Sequence, residues 1–140
     1  PTCFPAANGD LMTLAFFMDE WMPFLKENPG AKIYAVAIAR KLHAKVFIFD
    51  RAVTVIGTYN MDPMSENINA ENVCAVNSKE FAEECRAKIF EDLQYSKEYK
   101  IGINEKGEAY EVFGPGSLGD EKTLNKLRLI KKLKFLRPLI

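Results

Sequence analysis

The stretch Leu42-His43-Ala44-Lys45-Val46-Phe47-Ile48-Phe49-Asp50-Arg51-Ala52-Val53-Thr54-Val55-Ile56-Gly57 decides how this 140-residue chain is read. β-Branched and aromatic residues fill 42–50 and 53–57, and the break at Arg51-Ala52 predicts two strands joined by a tight turn. Strand side chains alternate between faces, so His43 and Lys45 share one surface while Ala44, Val46 and Ile48 enter the opposite layer. His43 is the single histidine of the chain. An imidazole can attack or protonate a phosphate ester while a neighbouring ammonium neutralises charge on the phosphoryl oxygens. The pair therefore points to phosphodiester chemistry. Asp50, seven residues after His43, falls on the other face and is assigned to holding the turn.

Upstream, Asp10 can cap a helix carrying Leu11, Leu14, Phe17, Met18, Trp21 and Leu25 at three- and four-residue steps. Pro29-Gly30 stops that helix, and Pro23 is expected to bend it or end it early. Trp21 and the Phe-rich helix faces read as core. A strand follows at 32–37. Downstream, residues 59–72 are rich in Asn, Asp, Ser, Glu and Pro and predict a structured loop. A strand at 72–76 comes next. Ser78 then caps a helix with Phe81, Ala82, Cys85, Ile89, Phe90 and Leu93 on one face. Residues 99–103 and 109–113, joined by Asn104-Glu105-Lys106-Gly107, predict a hairpin. Gly114-Pro115-Gly116-Ser117-Leu118-Gly119 reads as a linker, and a basic helix is expected over 123–137. This order predicts an α/β fold, a mixed central β-sheet flanked by helices in an α-β-α sandwich. Residues 1–113 would form the main domain, and 114–140 a linker and basic C-terminal helix.

A hydrophobic content of 48% supports one packed core and excludes a disordered or disulfide-scaffold chain. Cys3, Cys74 and Cys85 are odd in number and lack C-x-x-C spacing, so they read as reduced structural thiols, with Cys74 as a small core residue. No charge-free apolar run reaches the roughly 18 residues of a membrane span. The zero net charge hides a division: seven of the 19 Lys and Arg fall in 122–140 with no acid, leaving 12 against 19 acids in 1–121. The chain begins with Pro1, so a longer protein is expected, in which an anchor or targeting segment could precede it.

Beyond the two strands stands Gly57-Thr58-Tyr59-Asn60-Met61-Asp62-Pro63-Met64-Ser65, followed by Asn69-Ala70-Glu71. The joined pattern, H-x-K-x-x-x-x-D, six residues, G-[ST]-x-N, D-x-R-S and N-x-E, resembles the HKD signature of the phospholipase D superfamily. Every position is filled except the arginine, where Met64 stands. Further out, the hairpin and the end Arg137-Pro138-Leu139-Ile140 look like the end of bacterial cardiolipin-synthase-type members.

The resemblance implies a phospholipase D-like half-domain and a two-step transfer through a phosphohistidine, with no metal and no cofactor. One histidine attacks phosphorus and a second protonates the departing alcohol. Imidazole, with a reference pKa of about 6.5, can alternate between these states. By family position Glu71 would bond the other ring nitrogen of His43. Lys45, Asn60 and Thr58 would bind the non-bridging phosphoryl oxygens. Asp50, Gly57, Asp62, Ser65 and Asn69 are assigned to turn geometry and loop hydrogen bonds. The family's site lies between two such motifs, so the implied partner is a second HKD half, upstream in a longer chain or in a homodimer mate. With 42 residues before His43, the longer chain is favoured, and His43 is then the general acid/base. The expected activity is phosphodiester transfer or hydrolysis on phospholipid head groups; the alternatives are a metal-independent nuclease and a non-catalytic interaction domain. The acidic body argues against nucleic acid. Residues 122–137 would meet an anionic membrane surface or dock on the missing half. The expected location is the cytoplasm or the periphery of a bacterial inner membrane.

Overall fold

A computed structural model describes residues 2–3, 11–36, 42–60, 63–118 and 121–131. The elements run β1 (Thr2–Cys3), α1 (Leu11–Glu27), β2 (Tyr34–Val36), β3 (Val46–Phe49), β4 (Val53–Gly57), α2 (Pro63–Asn67) and β5 (Val73–Asn77). They continue as α3 (Lys79–Leu93), β6 (Ser96–Glu98), β7 (Lys100–Ile103), β8 (Ala109–Phe113), α4 (Pro115–Leu118) and α5 (Glu121–Lys131). The fold is α/β as expected, and among the described residues the strands fall into three sheets, β1-β2-β6, β3-β4-β5 and β7-β8. The described residues group into two compact units, one from 1–42 and 95–134, the other from 43–94. No described helix is long and apolar enough to cross a membrane.

The first unit is built around α1, whose Trp21 and Leu25 are buried with Ala35 and Tyr99, and with Phe17, Ile33, Ile101 and Phe113 packed around them. The Trp21 and Tyr99 rings lie 5.3 Å apart and tilted by 58°, the offset geometry that aromatic quadrupoles favour. The helix runs through Pro23 to Glu27, where a bend or an early end was expected. An interior proline costs about 3 kcal/mol. Burial of Trp21 and Leu25 on either side, at roughly 1.5–3 kcal/mol per large apolar side chain, outweighs it. Asp10, the expected cap, lies outside the described residues. Within the segment read as a linker, residues 115–118 form the short helix α4. Gly114 and Pro115 are buried, and the Glu111 carboxylate accepts from the Gly116 amide, the Ser117 amide and the Ser117 hydroxyl at 3.2, 2.8 and 2.9 Å. The basic helix α5 packs against α1; residues 132–137 of its expected span lie outside the described residues.

In the second unit β4 is the middle strand, antiparallel to both β3 and β5, and α3 packs against it. Asp50 and Arg51 are the central residues of the turn between β3 and β4, with φ of 50° and 56°. Positive φ at both positions matches the right-handed twist of a hairpin. The Ala52 amide closes the turn on the Phe49 carbonyl at 3.0 Å, and Arg51 reaches Glu83 of α3 at 2.6 Å. Ser78 caps α3 as expected, its hydroxyl accepting from the Phe81 amide at 3.2 Å. Cys74 is exposed, not core. Its strand β5 is an edge of the sheet, and Val73, Cys74 and Ala75 are all exposed.

Candidate active site

Every described residue of the HKD pattern lies in the second unit. Strand β3 begins at Val46, so His43 and Lys45 stand on the approach to the strand, a correction to the reading that placed both within it. The ladder still reaches Lys45, whose carbonyl accepts from the Gly57 amide at 3.2 Å. The two side chains meet on one side. The Lys45 ammonium lies 3.0 Å from His43 Nδ1, 3.0 Å from Nε2 and 3.1 Å from the His43 carbonyl oxygen. Equidistant from both nitrogens, it sits between them and not in line with either one. His43 is exposed and Lys45 half-buried.

The second wall grows from the end of β4. A Cβ at Gly57 would lie inside the Asn72 carbonyl oxygen and 2.8 Å from Val73 Cγ1, so only glycine lets the chain before β5 come this close. That approach pairs Thr58 with Asn72 twice: the Thr58 amide donates to the Asn72 carbonyl at 2.9 Å, and the Asn72 amide donates to Thr58 Oγ1 at 3.0 Å. The Thr58 hydroxyl in turn donates to Glu71 Oε2. Across the loop, α2 opens with Pro63, a residue suited to the first helical position. It carries Ser65, which is buried and accepts from the Asn60 amide at 3.2 Å.

These donors converge on one carboxylate. Thr58 first and Ser65 second hold Glu71 below its ordinary pKa of 4.5; desolvation opposes them, and Asn69 and the Lys45 charge add to the lowering. A direct bond thus joins Thr58 to Glu71, and Lys45 meets His43, while Ser65, Asn69 and the Lys45 charge also favour the Glu71 anion. The hydroxyl bonded to Glu71 Oε2 is that of Thr58, and the group against the His43 ring is the Lys45 ammonium. Asn60 is exposed beside Thr58, and Asp50 is set apart in the hairpin turn. Asp62 lies outside the described residues. Sequence reasoning treated Ser65 and Asn69 as loop residues; polar side chains at 58, 65 and 69 ahead of Glu71 were the available signal that they would solvate it.

A family model described as cardiolipin synthase, PLD-like domain, matches residues 18–93, more than half of the chain and all of the site. Two uncharacterized proteins of Helicobacter pylori, from strains J99 and 26695, are 32% and 31% identical over 101 residues. Those matches cover 69% of this chain and 20% of each relative, so the chain spans about a fifth of the length of the curated relatives it matches. No solved structure matches the chain. By the span and position of the match, the chain belongs to the family of PLD-like domains typified by cardiolipin synthase, whose chemistry at the superfamily level is phosphodiester transfer or hydrolysis.

Proposed function

We propose that this chain supplies one half of a phosphohistidine-forming site that transfers or hydrolyses phosphodiesters of phospholipid head groups. The observation that carries the reading is the exposed His43 ring with the Lys45 ammonium 3.0 Å from both of its nitrogens. The second half comes from a partner HKD motif, upstream in a longer chain or on a second copy. Its histidine attacks phosphorus and forms an N–P bond, while His43 gives its proton to the departing alcohol oxygen as the P–O bond breaks. The now neutral His43 then takes a proton from the incoming alcohol or water, whose oxygen attacks phosphorus and releases the partner histidine. Lys45 and Asn60 stabilise the non-bridging oxygens while charge builds on them. Glu71, held as an anion by its donors, stabilises the imidazolium form of His43, as a buried aspartate does in a serine protease.

A lipid substrate is supported by the charge pattern. The acidic body over 1–121 is a poor groove for nucleic acid. Helix α5 presents exposed Lys122, Lys126 and Leu129 at four- and three-residue spacing, a face suited to an anionic lipid surface. In this reading residues 1–113 form the catalytic half, and the protein works at the periphery of a bacterial membrane. The test is turnover by the intact protein, in the presence of a chelator, on phosphatidylglycerol vesicles and separately on single- and double-stranded DNA. Release or exchange of the lipid head group is expected. Cleavage of DNA alone would reject the lipid assignment.

A further inference from the structure

We infer that Thr58 is a positioning residue, a hydroxyl locked by a backbone amide so that it aims its only proton at Glu71, that Ser65 supports the same carboxylate, and that Thr58 is therefore not a ligand of the phosphoryl group. A hydroxyl carries one hydrogen and two acceptor lone pairs. Thr58 Oγ1 accepts from the Asn72 amide at 3.0 Å and donates to Glu71 Oε2. Ser65 Oγ accepts from the Asn60 amide at 3.2 Å, and after Thr58 it is the second influence that holds the Glu71 carboxyl below its ordinary range. A backbone amide thus fixes both hydroxyls, the Asn72 amide that of Thr58 and the Asn60 amide that of Ser65. Each amide fixes a hydroxyl's orientation, so donation to Glu71 needs no rearrangement when charge develops on the histidine. Ser65 is 5% exposed and sits on a short helix, which makes it a rigid support. The charged group acting on Glu71 is the Lys45 ammonium, whose effect is smaller than that of either hydroxyl. The proton of Thr58 is already committed, so that side chain has no donor left for a phosphoryl oxygen.

This inference rests on the proposed role of Glu71, but its first test does not require turnover. The side-chain carboxyl of Glu71 is titrated by carbon-13 NMR in the wild type, Thr58→Val, Thr58→Ser and Ser65→Ala. Thr58→Val keeps the shape and removes the hydroxyl; Thr58→Ser keeps the hydroxyl. The titration midpoint should rise toward that of an ordinary glutamate in Thr58→Val and Ser65→Ala and stay at the wild-type value in Thr58→Ser. On a phosphodiester substrate the same two variants should lose about tenfold in kcat at unchanged KM, with Thr58→Ser restoring the rate. A midpoint unmoved in both Thr58→Val and Ser65→Ala would overturn the inference. So would a rise in KM at unchanged kcat in Thr58→Val, the mark of a lost substrate contact. Wild-type protein without phosphodiester turnover would instead reject the proposed function, and the titration would still decide the role of the hydroxyls.

Discussion

Replacing Gly57 by alanine tests how the site is built. A Cβ there would stand 2.8 Å from Val73 Cγ1 and 2.9 Å from Val73 Cα, with the Asn72 carbonyl closer still. Carbon–carbon contacts are comfortable at about 3.5–4.0 Å, so β4 and the start of β5 must part by roughly 0.6–1 Å. The Thr58–Asn72 backbone bond, now 2.9 Å, would stretch past hydrogen-bonding distance. Overpacking of this kind costs about 1–3 kcal/mol, and the lost bond adds about 1 kcal/mol. In urea denaturation followed by circular dichroism, with a slope of about 1–3 kcal/mol per molar, the midpoint should fall by roughly 1 M. Activity should fall as well, because the same pairing carries Thr58 to Glu71. Gly30→Ala is the control, since a Cβ there meets nothing within 4 Å; its stability should stay within about 1 kcal/mol of wild type. A Gly57→Ala protein with an unchanged midpoint would refute the close approach of these segments.

Acidification should act through carboxylates held below their ordinary range: Glu71 by Thr58 first, Glu83 by Arg51 first and Glu80 by its own backbone amide first. Groups with depressed folded-state pKa contribute stability above the unfolded value of 4.5 and lose it as pH falls through the folded value. Urea midpoints should therefore hold between pH 7 and 5 and fall below pH 4.5; a rise on acidification would contradict the network. Thr54 lies fully buried on β4, with its hydroxyl unpartnered among the described residues. Thr54→Val, close to it in volume, should leave stability unchanged or raise it by about 1 kcal/mol. A loss above about 1 kcal/mol, read by the same denaturation assay, would mean that the hydroxyl is bonded.

What the sequence made legible follows from how local each signal is. The β3 and β4 runs, the Ser78 cap and the 104–107 hairpin loop are encoded by neighbours a few residues apart, and each appears within a few residues of its expected place. β6, with the sequence Ser-Lys-Glu, carries no strand pattern; it exists through pairing with β2 over Tyr34–Glu98 to Val36–Ser96. α2 and α4 are too short for a periodicity to register. Cys74 was misjudged because an apolar run says nothing about whether its strand is an edge. At the site, residue types and spacing were readable because the chemistry dictates them. The hydroxyl clamp was not, since it depends on the Asn60 and Asn72 amides, which every sequence has.

The most direct measurement is phosphodiester turnover by intact His43→Asn protein, with folding checked by circular dichroism. Loss of the imidazole beside Lys45 should lower kcat by about 10²–10⁴-fold with an unchanged spectrum. A folded His43→Asn protein turning over within a few-fold of wild type would contradict the assignment of the site.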